Sequence, residues 1–169
     1  AIVLDGVLRR GANGCGGEFG HMTVDPRGAL CRCGNRGCLE TLVGGSYLLQ
    51  MAREATGQDL TLPEFVKEAR AGNAGYRRLI EDAGSAAGLA VGLIGSALNP
   101  PLFVITGGLA LAAELFFSPL LAAYERHTLC RPSLLPDHER TRITPGQFLN
   151  NDNVLGAAAL VLRQISRVA

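Results

Sequence analysis

The stretch from Gly16 to Glu40, GGEFGHMTVDPRGALCRCGNRGCLE, carries more information about fold and function than any other part of the chain. It holds four side chains of the kinds that bind zinc: His21, Cys31, Cys33 and Cys38. One imidazole and three thiolates complete the tetrahedral ligand set of a structural zinc ion, and such soft donors favour zinc over hard cations. We therefore expect a zinc knuckle within residues 21–38.

The residues between the cysteines are compatible with a tight metal-binding turn. Gly34 and Gly37 lie between Cys33 and Cys38, and glycine adopts the positive φ angles that would turn both sulfurs toward one metal. Two alternatives stay open, namely cysteines that are simply reduced and a disulfide between two of them. Cys31 and Cys33 are poor disulfide partners, because a ring closed over a single intervening residue is strained.

The order of these motifs closely resembles the signature of the ROK family, which comprises bacterial repressors, uncharacterised reading frames and sugar kinases. The resemblance rests on GEFGH at Gly17–His21 and on CRCGNRGCLE at Cys31–Glu40. It extends to the preceding hairpin at Ile2–Gly11, a later strand and turn at Phe103–Gly108, and the final helix at Leu155–Ala159. Essentially all 169 residues are covered.

The resemblance implies an α/β fold that forms the C-terminal half of an actin-like, ribonuclease-H-like ATPase: a mixed sheet flanked by helices, with the zinc knuckle at its edge. We expect one domain over residues 1–169, cut from a longer protein, because Ala1 opens in mid-strand without a methionine. The family's Asp-x-Gly-Gly-Thr phosphate loop and catalytic Asn-Asp pair belong to the other half, and Asn151-Asp152 falls too late to be that pair. We assign no catalytic residue, and we expect an uncovered face to cause marginal stability or homo-oligomer formation.

Three residues of the central stretch are candidate sugar ligands. In ROK proteins that bind hexoses, the residues similar to Glu18, His21 and Glu40 contact sugar hydroxyls. Ionised carboxylates form strong charge-assisted hydrogen bonds, and an imidazole can bind zinc through one nitrogen while the other donates to a hydroxyl. The alternative for each glutamate is an ordinary solvated carboxylate. The zinc is expected to be structural, since four protein ligands leave no open position.

A second candidate site is Gly107-Gly108, which resembles the family's nucleotide-contacting turn. A glycine pair after a strand can also serve only the geometry of a tight turn. ATP is expected only if the parent protein is a kinase.

Two functions compete for the parent protein. As a regulator, an N-terminal helix-turn-helix outside this chain would bind DNA while this part senses a hexose or sugar derivative. As a kinase, an aspartate from the other half would activate a sugar hydroxyl for attack on the ATP γ-phosphate. Val24–Gly28 and Cys33–Thr41 are more similar to the regulator branch, so we favour the regulator and expect no enzyme activity from this chain alone. A third hypothesis is a zinc-stabilised oligomerisation module without a ligand.

Composition limits the partners and the compartment. The formal net charge is +1, which gives this chain no electrostatic attraction to nucleic acid or membranes. No secretory signal pattern opens the chain, and an odd number of five cysteines with a proposed metal site indicates a reducing cytoplasm. The apolar run 83–98 contains two serines and is shorter than the ~20 residues that span a bilayer, so we expect a buried helix there.

Local patterns predict the secondary structure. In the first half we expect a hairpin over residues 2–9 turning at Asp5-Gly6, a strand at Met22–Asp25, a helical turn at Leu39–Val43, and a helix from an N-cap at Ser46 to Ala55. Next come a helix over 62–71 opened by a Thr61–Glu64 capping box, and an Asn73-capped helix over 74–98 with Gly84, Gly88 and Gly92 on one face.

The last third is predicted to finish the α/β pattern. We expect a strand at Leu102–Thr106 that is buried on both faces, a helix interrupted at Ser118-Pro119, an exposed loop at Arg131–Glu139, a strand at Arg140–Thr144 and a closing helix over Val154–Val168.

Overall fold

A β-hairpin opens the chain as the sequence predicts. The computed structural model describes residues 1–148 and 151–165. Strands β1 (Ile2–Leu4) and β2 (Val7–Arg9) pair antiparallel, with Ile2 opposite Arg9. Asp5 and Gly6 have φ angles of 53° and 69°, the two positive values that a type I′ turn requires. The hairpin prediction is confirmed.

The segment after the hairpin is held by turns and isolated bridges. A 3-10 turn spans Phe19–His21, and single bridges join Thr23 to Cys38 and Leu30 to Arg36. The predicted strand at Met22–Asp25 is wrong. The amides of Val24 and Asp25 both donate to one carbonyl, that of Gly37, so the segment folds onto the knuckle and no ladder can continue.

Four helices follow, namely α1 (Glu40–Val43), α2 (Gly45–Thr56), α3 (Leu62–Arg70) and α4 (Ala74–Leu98). The capping box of α3 is present, with Thr61 and Glu64 bonded reciprocally, and these hydrogen bonds lower the pKa of the Glu64 carboxyl. Asn73 caps α4 through its side chain, as predicted. The predicted cap of α2 is wrong, because the N-cap residue is Gly44 and Ser46 lies inside the first turn.

Helix α4 packs closely against α5 (Glu114–His127) through its glycine face. A Cβ at Gly88 would lie 2.2 Å from the Leu120 carbonyl oxygen, and one at Gly84 would lie 2.4 Å from that of Phe116. Glycine is therefore needed at both positions, because the backbone of α5 lies directly against the predicted glycine face. By length and composition α4 could cross a membrane, but 50% of its apolar window is buried inside the protein.

Among the described residues, the hydrophobic core cluster is contributed mainly by α2 to α5. Its large buried members come from four different helices, and they are Leu48, Phe65, Tyr76, Ile80, Phe116 and Leu120. Phe65 and Tyr76 stack with their ring centroids 5.1 Å apart. No residue of the cysteine knuckle, Cys31–Cys38, belongs to this cluster.

The predicted interruption of α5 at Pro119 is wrong. Proline has no amide hydrogen, so it cannot donate to the carbonyl four residues earlier, and its ring crowds the preceding turn of the helix. Helix α5 nevertheless continues through Pro119, whose Cγ lies over Gly84 at 2.8 Å from the place of a Cβ. The ring thus fills space that the glycine leaves open on α4.

Two parallel strands complete the described fold. Strands β3 (Leu102–Ile105) and β4 (Arg142–Pro145) pair in parallel, with Leu102 opposite Arg142. Within residues 1–148 and 151–165 the strands form two separate two-stranded sheets, where a single mixed sheet was predicted. The expectation that β3 is buried on both faces is also wrong, since Leu102 and Val104 are 40% and 52% exposed.

The remaining predicted elements are found close to their expected positions. The loop at 131–139 contains two short 3-10 turns and is largely exposed. Helix α6 spans Asp152–Ile165, and the last residues of the predicted closing helix, 166–168, lie outside the described residues.

Candidate metal and ligand site

The four predicted metal ligands converge in space. One potential ligand atom from each of His21, Cys31, Cys33 and Cys38 lies within 4.8 Å of the others. The Cys31 Sγ is 3.7 Å from His21 Nδ1, and the Cys33 and Cys38 sulfurs are 3.6 Å apart. Tetrahedral zinc bonds of about 2.3 Å to sulfur and 2.0 Å to nitrogen place neighbouring ligand atoms roughly 3.5–3.8 Å apart. The donor set and its spacing therefore fit zinc.

The same distances decide against a disulfide. A disulfide bond is about 2.05 Å long, whereas the Cys33 and Cys38 sulfurs are 3.6 Å apart, and all five cysteines are free. Cys31 and Cys38 are buried, while Cys33 is exposed. The cluster therefore consists of thiols that converge without a covalent bond.

Backbone hydrogen bonds shape the knuckle. The Cys31 amide donates to the Asn35 carbonyl at 2.7 Å, and the Gly34 amide donates back to the Cys31 carbonyl at 2.9 Å. Gly34 and Gly37 have φ angles of 92° and 63°, as the sequence predicts. Gly37 is also sterically required, since a Cβ there would lie 1.5 Å from the Asp25 carbonyl oxygen.

The sulfurs differ in their electrostatic surroundings. A hydrogen bond from the Cys33 backbone, with further contacts to Cys33, His21 and Cys38, lowers the pKa of Cys31 to about 6. Burial, together with the neighbouring sulfurs, raises the pKa of Cys38 to about 12. One thiolate is thus stabilised beside a buried protonated thiol, and a cation in the cluster would remove the remaining protons.

Two of the three predicted sugar ligands share one short turn. Glu18 is the N-cap residue of the 3-10 turn Phe19–His21, and its carbonyl accepts the His21 amide at 3.1 Å. His21 directs Nδ1 at Cys31, which leaves Nε2 for another partner. Both side chains are exposed.

The third predicted ligand, Glu40, reaches the same turn from the start of α1. A Cβ at Gly20 would lie 3.3 Å from Glu40 Oε2, and one at Gly44 would lie 2.6 Å from Oε1. The carboxylate therefore rests between these two glycines, against the turn that carries Glu18 and His21. Within residues 1–148 and 151–165, neither glutamate carboxylate has a hydrogen bond or ion pair with the protein.

Gly107 and Gly108 lie on a different element, directly after β3. Gly107 has φ 100° and ψ 177°, a region that only glycine adopts readily, and the space around it is open. A Cβ at Gly108 would lie 2.2 Å from Leu62 Cδ2. Turn geometry and packing thus account for both glycines, and their contact with a nucleotide stays a prediction.

Sequence reasoning missed two features of this region. It did not foresee that Gly20 and Gly44 flank the Glu40 carboxylate. It also missed the contacts of Arg32 with Tyr47 and Ser46 at the start of α2. An aromatic residue fifteen positions after an arginine has no local pattern, so only the three-dimensional fold reveals the pair.

Comparison with known proteins finds one family profile and relatives of two kinds, sugar kinases and repressors. The ROK family profile matches residues 1–164. The chain is 31% identical to a glucokinase from Halalkalibacterium halodurans over 96% of this chain and 52% of the glucokinase. It is 30% identical to the N-acetylglucosamine repressor of Escherichia coli O157:H7, over 96% of this chain and 41% of the repressor.

The fold is also similar to that of a solved enzyme. The ROK hexokinase from Thermus thermophilus matches with a TM-score of 0.78 and 32% identity, over 94% of this chain and 51% of the hexokinase. The chain spans about half the length of the curated relatives it matches. These relatives include both sugar kinases and repressors.

Proposed function

Because this chain belongs to the ROK family, we propose that it is the sugar-sensing part of a transcriptional regulator, and that it binds a hexose or sugar derivative beside a structural zinc ion. The observation that carries the proposal is the convergence at one turn. Glu18 and His21 flank that turn, and the Glu40 carboxylate rests against Gly20 inside it. Two carboxylate acceptors and one imidazole suit the vicinal hydroxyls of a sugar.

Zinc would be held by His21, Cys31, Cys33 and Cys38, and it would supply a rigid cross-link with no catalytic water, since four protein ligands fill its coordination. With Nδ1 engaged, the His21 ring has a fixed orientation and its Nε2–H donates to a sugar hydroxyl. Glu18 and Glu40 accept hydrogen bonds from neighbouring hydroxyls. We place the protein in the cytoplasm, where free thiols persist.

A kinase is the second candidate, favoured by the likeness to the glucokinase and the hexokinase. In that case the chain is the C-terminal half of an actin-like ATPase fold, and Gly107-Gly108 contacts ATP.

In the regulator, DNA binding belongs to a segment outside this chain. The regulator is favoured by the Val24–Gly28 and Cys33–Thr41 sequences, and it agrees with the likeness to the repressor.

Calorimetric titration of the zinc-loaded chain with glucose, xylose and N-acetylglucosamine tests the proposed sugar site. We expect one of these sugars to bind. Glu18→Gln and Glu40→Gln should each weaken binding about tenfold or more, because a hydrogen bond to a charged acceptor contributes roughly 1.5–3 kcal/mol. Glu68→Gln, at an exposed position of α3, is the matched control and should leave affinity unchanged.

The outcomes separate the hypotheses. Equal weakening by all three substitutions would contradict a specific role for Glu18 and Glu40. If none of the sugars binds to a zinc-loaded chain, the sugar-sensor hypothesis is contradicted and the oligomerisation-module hypothesis is favoured. Titration with ATP tests the second candidate directly, since ATP binding by this chain would favour the kinase over the regulator.

A further inference from the structure

The turn from Cys31 to Asn35 has few polar links to the rest of the protein. Its backbone hydrogen bonds run inside the turn, from the Cys31 amide to the Asn35 carbonyl and from the Gly34 amide to the Cys31 carbonyl. Within the described residues, its polar contacts with the rest of the chain are those of the two sulfurs and those of Arg32. Arg32 therefore ties this turn to the body of the protein independently of the sulfurs.

Arg32 makes three contacts with the first turn of α2. Its amide donates to the Tyr47 hydroxyl at 3.1 Å, and its guanidinium carbon lies 5.2 Å from the centroid of the Tyr47 ring. The guanidinium also donates to the Ser46 hydroxyl. A cation over an aromatic face at this distance is attracted to the ring. The hydroxyl and the ring of Tyr47 therefore both contact Arg32.

We propose that Tyr47 is a positioning residue for the zinc site: it holds Arg32, and thereby the sulfurs of Cys31 and Cys33, in the arrangement that zinc requires. This inference rests on the proposed zinc ion. Arg32 stands between these two ligands in sequence, so fixing its backbone and side chain restricts both neighbours. A turn that is ordered before the metal arrives loses less conformational entropy on binding, which favours retention of the metal.

The same contact connects the knuckle to the sugar side of the site. Helix α2 starts directly after Gly44, the residue against which Glu40 Oε1 lies. Arg32 therefore anchors the metal-binding turn to the corner that positions a proposed sugar ligand. A loosened anchor would affect both the metal and the carboxylate.

The test measures the rate at which zinc passes from the full chain to a colorimetric chelator. Tyr47→Phe removes the hydroxyl and keeps the ring, whereas Arg32→Ala keeps the amide donor and loses the ring contact. Outer-sphere partners typically change metal affinity 10- to 100-fold, so we expect each variant to release zinc roughly tenfold faster.

Tyr76→Phe is the matched control. Its hydroxyl bonds to Thr56, the last residue of α2, and to Gln58, so it contacts the end of α2 opposite to Tyr47, and its side chain belongs to the helical core. This variant should unfold at a lower temperature and keep the wild-type rate of zinc release. If it releases zinc as fast as Tyr47→Phe, release follows general stability and the positioning role is wrong.

Elemental analysis of the wild type separates the two proposals. One zinc per chain, with a wild-type release rate in Tyr47→Phe, would overturn the role of Tyr47 and leave the zinc site standing. A wild-type chain that binds no zinc even after loading would overturn the zinc site and the role of Tyr47 together.

Discussion

Replacing Gly37 by alanine should destroy the metal-binding knuckle and spare the helical core. A Cβ at this position would lie 1.5 Å from the Asp25 carbonyl oxygen, where an ordinary contact is about 3.5 Å, so the two segments must separate by about 2 Å. That movement breaks the hydrogen bonds from the Val24 and Asp25 amides to the Gly37 carbonyl and from the Gly37 amide to Ala29.

The expected cost can be estimated from these contacts. Each hydrogen bond contributes roughly 1 kcal/mol, and a non-glycine residue at φ 63° costs roughly 1 kcal/mol more. The knuckle should therefore lose about 4 kcal/mol, which corresponds to roughly a thousandfold weaker zinc binding if the whole loss falls on the metal-bound state.

Gly34→Ala is the matched control on the same knuckle. Gly34 also has a positive φ, 92°, but nothing lies within 4 Å of a Cβ built there. Only the backbone cost of a positive φ applies, so we expect a loss of about 1 kcal/mol and a roughly fivefold weaker affinity for zinc. The two alanines thus separate steric overlap from backbone strain.

Competition with a chelator of known affinity, followed by elemental analysis, measures the effect. We expect Gly37→Ala to lose its zinc at chelator concentrations that Gly34→Ala withstands. Circular dichroism should show unchanged helix content in both, because the core cluster of α2 to α5 contains no knuckle residue. Equal zinc affinity in the two variants would refute the steric reasoning.

Two further changes test the packing of the fold. Gly88→Ala should destabilise the protein by about 2 kcal/mol and lower its melting temperature by about 6 °C, because overlap with the Leu120 carbonyl outweighs the better helix propensity of alanine. Gly75→Ala on the same helix is the control. A Cβ there would lie 3.5 Å from its nearest neighbour, so this change should be neutral or slightly stabilising. Val104→Lys should reduce self-association through the exposed face of β3, measured by light scattering, and a wild-type chain that stays monomeric at high concentration would contradict this prediction.

One turn and two helix caps that depend on residues close together in sequence were predicted correctly. The Asp5-Gly6 turn, the Thr61 capping box and the Asn73 cap each depend on residues a few positions apart, and each is found where the sequence indicates. The convergence of His21, Cys31, Cys33 and Cys38 was also predictable, because residue type and short spacing together indicated the cluster. The glycine face of α4 belongs to the same group, since its helical spacing shows that a neighbour approaches there.

The wrong predictions share a different cause. Pro119 was expected to break α5, but the ring fits above Gly84 of another helix, and nothing near Pro119 in sequence reveals that space. Likewise the apolar composition of Leu102–Thr106 suggested burial on both faces, whereas burial depends on what covers the strand. Met22–Asp25 alternates like a strand, yet the amides of Val24 and Asp25 both donate to the Gly37 carbonyl.

The position of the proposed zinc ion follows from where the fold lacks regular structure. Between β2 and α1 the chain forms one 3-10 turn of three residues and two isolated bridges, yet this segment carries Glu18 and His21. Ordering a loop costs on the order of 1 kcal/mol per residue, which so few hydrogen bonds do not offset. A structural zinc ion contributes roughly 10 kcal/mol or more of folding free energy. The four proposed ligands would join His21, near the middle of the segment, to the cysteines at its C-terminal end. A ligand site built on a loop can thereby have the rigidity that sugar recognition requires, and Tyr47 extends that rigidity into helix α2.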